Sequence, residues 1–210
     1  NSFAELTTPA QLNAFFNEQF ADSLPLLPSL SEDFFNNPTG HLATIRCDPW
    51  HYGNNTLLIG DAAHAIVPFR GQGMNCGFED ASVLNQILDH HSDNHQDNWD
   101  AVFADYNASR KPNGDAIADL ALSNYVEMRC SVRQPNYLLK KELAFVLEKR
   151  HPQHFIPRYS MVMFHLRPYE EAKRRGDIQN EILEQLTEGL SNIADVDLAL
   201  ADQLIGARLV

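Results

Sequence analysis

LLIGDAAHAIVPFRGQGMNCGFEDASVL, residues 57–84, is the most informative stretch of this sequence. It begins with a run of apolar residues that predicts a short buried strand over residues 56–60, and it ends in a helix predicted over 74–90. Between the two elements lie one carboxylate, that of Asp61, and two glycines that flank a glutamine. Residues that shape the backbone in this way predict a loop that holds a polar ligand.

The chemistry of the loop indicates what that ligand resembles. Asp61 directly follows the predicted strand, and ligands of open α/β sheets bind at the carboxyl ends of strands. Its carboxylate can accept hydrogen bonds from the hydroxyls of a sugar or ribityl chain. Gly71 and Gly73 allow a flat ligand to approach the backbone, and Pro68 stiffens the chain. Residues 73–75 open a helix, whose N-terminus favours an electron-rich group such as the ring of a reduced flavin.

Other interpretations of the loop need to be weighed. A tight connection between strand and helix, with Asp61 as a cap, explains the same glycines and the same acid. A phosphate-binding loop is excluded, because no Lys-Ser/Thr pair follows the glycines.

The stretch GDAAHAIVPFRGQGMNCGFEDASVL resembles the second flavin-binding motif of the FAD-dependent aromatic hydroxylases, the family with the p-hydroxybenzoate hydroxylase fold. The resemblance implies FAD as the cofactor, with Asp61 on its ribityl chain. It also implies that the backbone of Gly73, Met74 and Asn75 follows the pyrimidine side of the flavin. The other cofactor-binding residues expected from the motif are Pro68, Gly71 and Gln72.

The chain more specifically resembles the members of this family that hydroxylate kynurenine. The similarity includes IRCDPW (45–50), NYVEMR (124–129) and FIPRYSMVMF (155–164), and it fades after about Gly176. It implies L-kynurenine as the substrate, NADPH and O₂ as co-substrates, and oxygen transfer from a flavin C4a-hydroperoxide. It implies neither a catalytic side chain nor a metal. The alternatives are a related aromatic hydroxylase with another substrate, a fragment that is catalytically silent alone, and a module that binds flavin or kynurenine without consuming NADPH.

The same resemblance assigns a substrate site. Asn124, Glu127 and Tyr159 are expected to line it, with Phe69 between flavin and substrate. One position departs from the pattern, since Arg70 replaces an aromatic residue or a histidine. His64 belongs to the motif and is expected to orient its neighbours rather than to act as a base.

Helical spacing alone leaves the role of Asn124 open. The residue lies within an apolar stripe of a helix predicted over 115–133, and an unpaired buried amide costs about 1–3 kcal/mol. A hydrogen bond between helices and a polar ligand in an apolar pocket would both satisfy it.

The remaining pattern predicts one further strand, over 41–48, and helices elsewhere. These helices are predicted over 99–110, 115–133, 136–150, 178–190 and 193–204, with a solvated polar loop at 90–98. The fold class is α/β (α+β within this fragment) and mostly helical after residue 74. Since one strand pair cannot stand alone, the chain is expected to be the C-terminal part of a larger α/β protein.

The missing strands and the family resemblance together predict how the chain divides into domains. Residues 1–48 are expected to be a remnant of the substrate-binding domain, and 49–114 the C-terminal part of the FAD-binding domain. Residues 115–176 would form a helical substrate-pocket region, and 177–210 a C-terminal helical cap. The expected partner is the missing N-terminal half of the same enzyme, because the first residue is not a methionine and the family's first half is absent.

Composition narrows the possible partners. The 28 acidic residues exceed the 16 basic ones, which gives a formal charge of −12 and argues against nucleic acid or an anionic membrane surface. The sequence shows no signal peptide and no apolar run of membrane-spanning length. Three scattered cysteines fit no zinc spacing. Together these features predict a cytoplasmic protein.

Overall fold

The computed structural model describes residues 3–93, 98–134 and 136–210, and the chain divides into two compact units, Asn1–Leu42 and Ala43–Val210. The first unit contains helices α1 (Pro9–Gln19) and α2 (Leu30–Asn36). A reciprocal capping box starts α1, because Thr8 accepts from the backbone of Gln11 while the Gln11 side chain accepts from the backbone of Thr8.

The second unit contains a small antiparallel sheet of two strands, β1 (His51–Tyr52) and β2 (Thr56–Leu57). The predicted strand over 56–60 is therefore confirmed for its first two residues only. The predicted strand over 41–48 is wrong. Within the described residues, the chain before β1 has no neighbouring strand, and the Ile45 N–H donates instead to the carbonyl of Ala65. Alternating residues do not form a strand without a partner for their backbone.

Helices form most of the second unit, as predicted for the chain after residue 74. They are α3 (Asp61–His64), α4 (Gly73–Asp93), α5 (Trp99–Arg129), α6 (Tyr137–Arg150), α7 (Arg158–Met163), α8 (Tyr169–Thr187) and α9 (Leu198–Arg208). Short 3-10 segments are Phe3–Glu5 and Leu24–Leu26 in the first unit, and Pro68–Arg70, Ser131–Arg133 and Ile193–Asp195 in the second. No helix in the described part of the chain is both long and apolar enough to cross a membrane.

Several predicted helices differ from the observed ones at their ends. The helices predicted over 74–90 and 136–150 are confirmed as α4 and α6. The one predicted over 178–190 is the second half of α8, and the one over 193–204 divides into a 3-10 turn and α9. The loop predicted over 90–98 is wrong for its first four residues, which belong to α4, and residues 94–97 lie outside the described residues.

The prediction for the region of helix α5 was wrong in a larger respect. Separate helices were predicted over 99–110 and 115–133, yet one helix continues through Pro112. A proline inside a helix costs about 3 kcal/mol. Burial on both sides of Pro112 outweighs that cost, since Arg110 is 2% exposed and Ile117 is fully buried. The unbroken helix runs from Arg110 to the predicted substrate residues Asn124 and Glu127.

Two apolar clusters and a smaller third one hold the second unit together. The first joins α4, α5, α7 and α8, and the second joins α6, α8 and α9. The third consists of Trp50, Ala63 and Tyr106. Ala63 belongs to helix α3, so this third cluster anchors the helix that begins at Asp61.

Gly114 of α5 packs directly against this third cluster. A Cβ at Gly114 would lie 2.6 Å from Cη2 of Trp50, which is 1% exposed and cannot move aside easily. We expect Gly114→Ala to lower the free energy of unfolding by about 1–3 kcal/mol, as overpacking of a core does. The matched control is Gly206→Ala in α9, where no atom lies within 4 Å of the added methyl. Urea denaturation should show the control slightly stabilised, and equal stability of the two variants would contradict the prediction.

Candidate functional site

An open cleft of about 710 Å³ lies along the loop between α3 and α4. Its lining residues are Asp61, Ile66, Pro68, Gly71, Gly73, Met74, Gly77 and Phe78. Five of the seven residues predicted to bind the cofactor thus lie together. The side chains of Gln72 and Asn75 have another role: Gln72 is buried and donates to the Met163 sulfur at 3.0 Å, and Asn75 donates to Gln72 at 3.2 Å.

Asp61 lies at the first position of α3, so its placement at a strand end was wrong. Strand β2 already ends at Leu57, and Gly60 caps the helix with a φ of +58°. Asp61 is therefore not the cap, although a tight turn at Gly60 does begin the helix. Its carboxylate is exposed and has no hydrogen-bond partner among the described residues. It is free to accept hydrogen bonds from a ligand.

The opposite side of the cleft is formed by a glycine turn and the start of α4. Gly71 has a φ of +65°, which an L side chain rarely adopts, and no atom lies within 4 Å of where its Cβ would be. The first N–H groups of α4, beginning at Gly73, lack partners within the helix. Met74 and Phe78 are 71% and 68% exposed beside them. An unpaired carboxylate, an open glycine turn and exposed apolar side chains fit a ligand that has both hydroxyls and a flat ring.

A buried polar network lies beneath this cleft, formed by His64, Asp80 and Arg110. Nε2 of His64 lies 2.5 Å from Oδ2 of Asp80, and Nε of Arg110 donates to Oδ1 of Asp80 at 2.7 Å. Asp80 is fully buried and also accepts the backbone N–H of Gly60 at 2.9 Å. Arg110 reaches Glu79 as well, at 2.7 Å. The network thus ties α3, α4 and α5 together.

Sequence reasoning missed Asp80 and Arg110 as members of this site. The available signal was an acid within an otherwise apolar face of α4, which indicates a buried partner. The sequence alone did not identify that partner, which lies 30 residues away.

The network is charged at neutral pH. Burial acts to lower the pKa of His64, but the hydrogen bonds and charges of Asp80 and Cys76 together outweigh burial and raise the pKa to about 10. Burial acts to raise the pKa of Asp80, while hydrogen bonds from His64 and Arg110 hold it below its ordinary value. A histidine that already carries its proton cannot accept another, so His64 is not a general base at pH 7.

His64, Cys76 and Asp80 also lie close enough to suggest a metal site, since their ligand atoms are all within 4.8 Å of one another. Arg110 already places a cation there, with Nη2 3.6 Å from the Cys76 sulfur. The geometry is that of an ion-pair network.

The predicted substrate residues come from three elements, with Asn124 and Glu127 one turn apart on α5. Asn124 donates to the backbone carbonyl of Phe69 at 2.5 Å, and the Phe69 ring packs on Tyr125 with centroids 4.6 Å apart. Asn124 therefore forms a hydrogen bond between elements, one of the two possibilities that the sequence left open. It holds the loop between α3 and α4 against α5.

Glu127 faces a second cavity, of about 600 Å³, between α5, α6 and α8. Oε1 accepts from Tyr137 at 3.1 Å and pairs with Lys141 at 2.7 Å. Burial acts to raise the pKa of Glu127, but the hydrogen bond and charge of Lys141 hold it below its ordinary value. Tyr159, in α7, is 55% exposed.

Arg70 lies in the loop between α3 and α4, within electrostatic range of Glu127, Tyr159 and Arg158. Its Nη2 is buried without a hydrogen-bond partner among the described residues. Burial, followed by the like charge of Arg158, lowers the pKa of Arg70.

Comparisons with known proteins agree with this geometry. A sequence model of the FAD binding domain family, FAD_binding_3, matches residues 16–121, about half of the chain. The chain is 50% identical over 208 residues to the kynurenine 3-monooxygenase of Myxococcus xanthus, covering 99% of this chain and 44% of that protein.

Two other proteins named kynurenine 3-monooxygenase show similar sequence identity and coverage. The protein of Flavobacterium johnsoniae is 46% identical over 93% of this chain and 43% of its own length. That of Legionella pneumophila strain Corby is 41% identical over 98% of this chain and 45% of its own length. The chain thus spans less than half the length of each of these relatives. From the match to the family model and the cleft that its matched residues form, the chain belongs to the FAD binding domain family, whose cofactor is FAD.

Proposed function

We propose that this chain is part of an FAD-dependent monooxygenase that hydroxylates L-kynurenine to 3-hydroxykynurenine with NADPH and O₂. The observation that carries the proposal is the unpartnered Asp61 carboxylate beside an open cleft that ends at the start of α4. Support for the reaction comes from relatives named kynurenine 3-monooxygenase. The proposed activity belongs to the whole enzyme, with a p-hydroxybenzoate hydroxylase fold and an N-terminal half as partner, because the chain spans less than half of these relatives.

Each side of the cleft would hold a different part of the cofactor. Asp61 would accept hydrogen bonds from the ribityl hydroxyls. The N–H groups of Gly73–Asn75 would face the electron-rich edge of the ring, which favours its reduced form. Bound FAD would supply the redox chemistry and the transfer of oxygen to the aromatic ring. Pro68 and Met74 would shield that ring from water.

The substrate would lie beyond Phe69, on the side of α5. Asn124 would act through its hydrogen bond to the Phe69 carbonyl, which fixes the loop between flavin and substrate. Glu127 would bind an ammonium or amine group of L-kynurenine. Both of its observed contacts use Oε1, so Oε2 remains available. Tyr159 would close the same site from α7.

The cofactor proposal predicts a large loss of FAD affinity in Asp61→Ala. Hydrogen bonds to a charged group contribute about 1.5–3 kcal/mol, so the dissociation constant should rise about 10-fold or more. The matched control is Asp195→Ala, which removes an exposed carboxylate from the 3-10 turn before α9. Quenching of FAD fluorescence measures both affinities. Equal affinity of the two variants would show that Asp61 does not contact FAD.

The reaction is tested with the whole flavoprotein that carries these residues. L-kynurenine should stimulate NADPH oxidation and yield 3-hydroxykynurenine, identified by mass spectrometry. If another aromatic acid stimulates the reaction and L-kynurenine does not, the substrate is wrong while the FAD site remains.

A further inference from the structure

We infer that Asp80 is a positioning residue for FAD, because it holds the turn that carries Asp61 at a fixed place against helix α4. The inference rests on the proposed FAD cleft, and it concerns a residue that does not line the cleft.

The first argument is the contact between Asp80 and the backbone. Oδ2 of Asp80 accepts the N–H of Gly60 at 2.9 Å, and Gly60 directly precedes Asp61 in the chain. Gly60 has a φ of +58°, a conformation that few other residues adopt, so its position sets the direction in which α3 begins. Asp80 therefore acts on the carboxylate that would hold the ribityl chain.

The second argument is that Asp80 belongs to the element that bounds the other end of the cleft. It lies two turns into α4, whose first residues, Gly73–Asn75, would face the flavin ring. One turn before Asp80, Gly77 packs on the Gly60 turn, and a Cβ at Gly77 would lie 3.8 Å from the Cα of Gly60. Helix α4 and the Gly60 turn are thus in direct contact, and the Asp80–Gly60 hydrogen bond holds them together.

The third argument is that Asp80 itself has little freedom. It is fully buried, and its two oxygens accept from Gly60, His64 and Arg110, which come from different elements. A carboxylate held by three donors keeps a single orientation. Such preorganisation is what a site needs if it is to bind a ligand without paying to order its own backbone.

The test compares Asp80→Ala with Asp80→Asn in the whole flavoprotein that carries these residues. Asp80→Ala removes the acceptor for Gly60, and we expect the FAD dissociation constant to rise about 10-fold or more. Asp80→Asn keeps an amide oxygen that can accept the same N–H, so it should recover part of the affinity. The Gly60 amide should exchange its hydrogen faster in flavin-free Asp80→Ala than in the unsubstituted chain.

The control Ile205→Ala distinguishes a specific effect on FAD binding from a general loss of stability. Ile205 is fully buried in the cluster of α6, α8 and α9, away from the cleft. Ile205→Ala should lower the melting temperature while leaving FAD affinity and Gly60 exchange unchanged. If Asp80→Ala alters FAD affinity no more than Ile205→Ala, Asp80 is structural only and the inference is wrong. If Asp61→Ala in the same flavoprotein does not weaken FAD binding either, the proposed cleft itself is wrong, and the inference is wrong with it.

Discussion

Replacing Arg110 with methionine is expected to lower the free energy of unfolding by about 3–5 kcal/mol, the usual cost of removing one partner from a buried ion pair. Arg110 is 2% exposed and its partner Asp80 is fully buried. Methionine fills most of the volume of the arginine stem but donates no hydrogen bond, so Oδ1 of Asp80 would lose the charged donor that Arg110 provides. Urea denaturation followed by circular dichroism measures the change.

The matched control is Arg46→Met, which breaks another arginine–aspartate pair. Arg46 lies 2.5 Å from Asp119, but the two side chains are 39% and 42% exposed. Solvent screens such a pair, so the expected loss is under about 1 kcal/mol. The distance in the surface pair is as short as in the buried network, which makes burial the variable under test. Similar losses in the two variants would mean that Arg110 is not an essential part of a buried network.

Alkaline pH is expected to destabilise the protein through His64. Its pKa is about 10 in the folded chain, against an ordinary value of 6.5. A raised pKa means that the contribution to stability is complete below pH 6.5 and is lost as the pH rises through about 10. One extra proton on the folded state gives a slope of at most about 1.4 kcal/mol per pH unit between those values.

Comparison with His64→Gln isolates the contribution of His64 to the pH dependence of stability. Glutamine can still donate to Asp80 but does not titrate, whereas the other ionisable groups near His64, namely Cys76, Asp80 and Arg110, are unchanged. The difference between the two unfolding free energies should therefore fall steadily from pH 6.5 to pH 10. A flat difference over that range would show that His64 is neutral in the folded protein.

Sequence alone determined the features that depend on neighbours along the chain. The cleft residues lie within a stretch from Asp61 to Phe78, so a local motif predicted five of the residues that line it. The capping box at Thr8 and the course of α4 and α6 also follow from residues within a few turns of one another. The resemblance of the same stretch to flavin-binding hydroxylases is confirmed by the family to which the chain belongs.

Only the tertiary structure decided the features that depend on distant partners. Packing on both sides of Pro112 keeps α5 intact, and the absence of a neighbouring strand in the described residues leaves 41–48 outside any sheet. Asp80 pairs with Arg110, which lies 30 residues away in the chain. Asn124 donates to the carbonyl of Phe69, which lies 55 residues away. Periodicity and motifs indicate which face of a helix or strand is buried. They do not indicate which other element packs against that face. For that reason the sequence predicted the cleft, whereas the ion-pair network beneath it appears only in the folded chain.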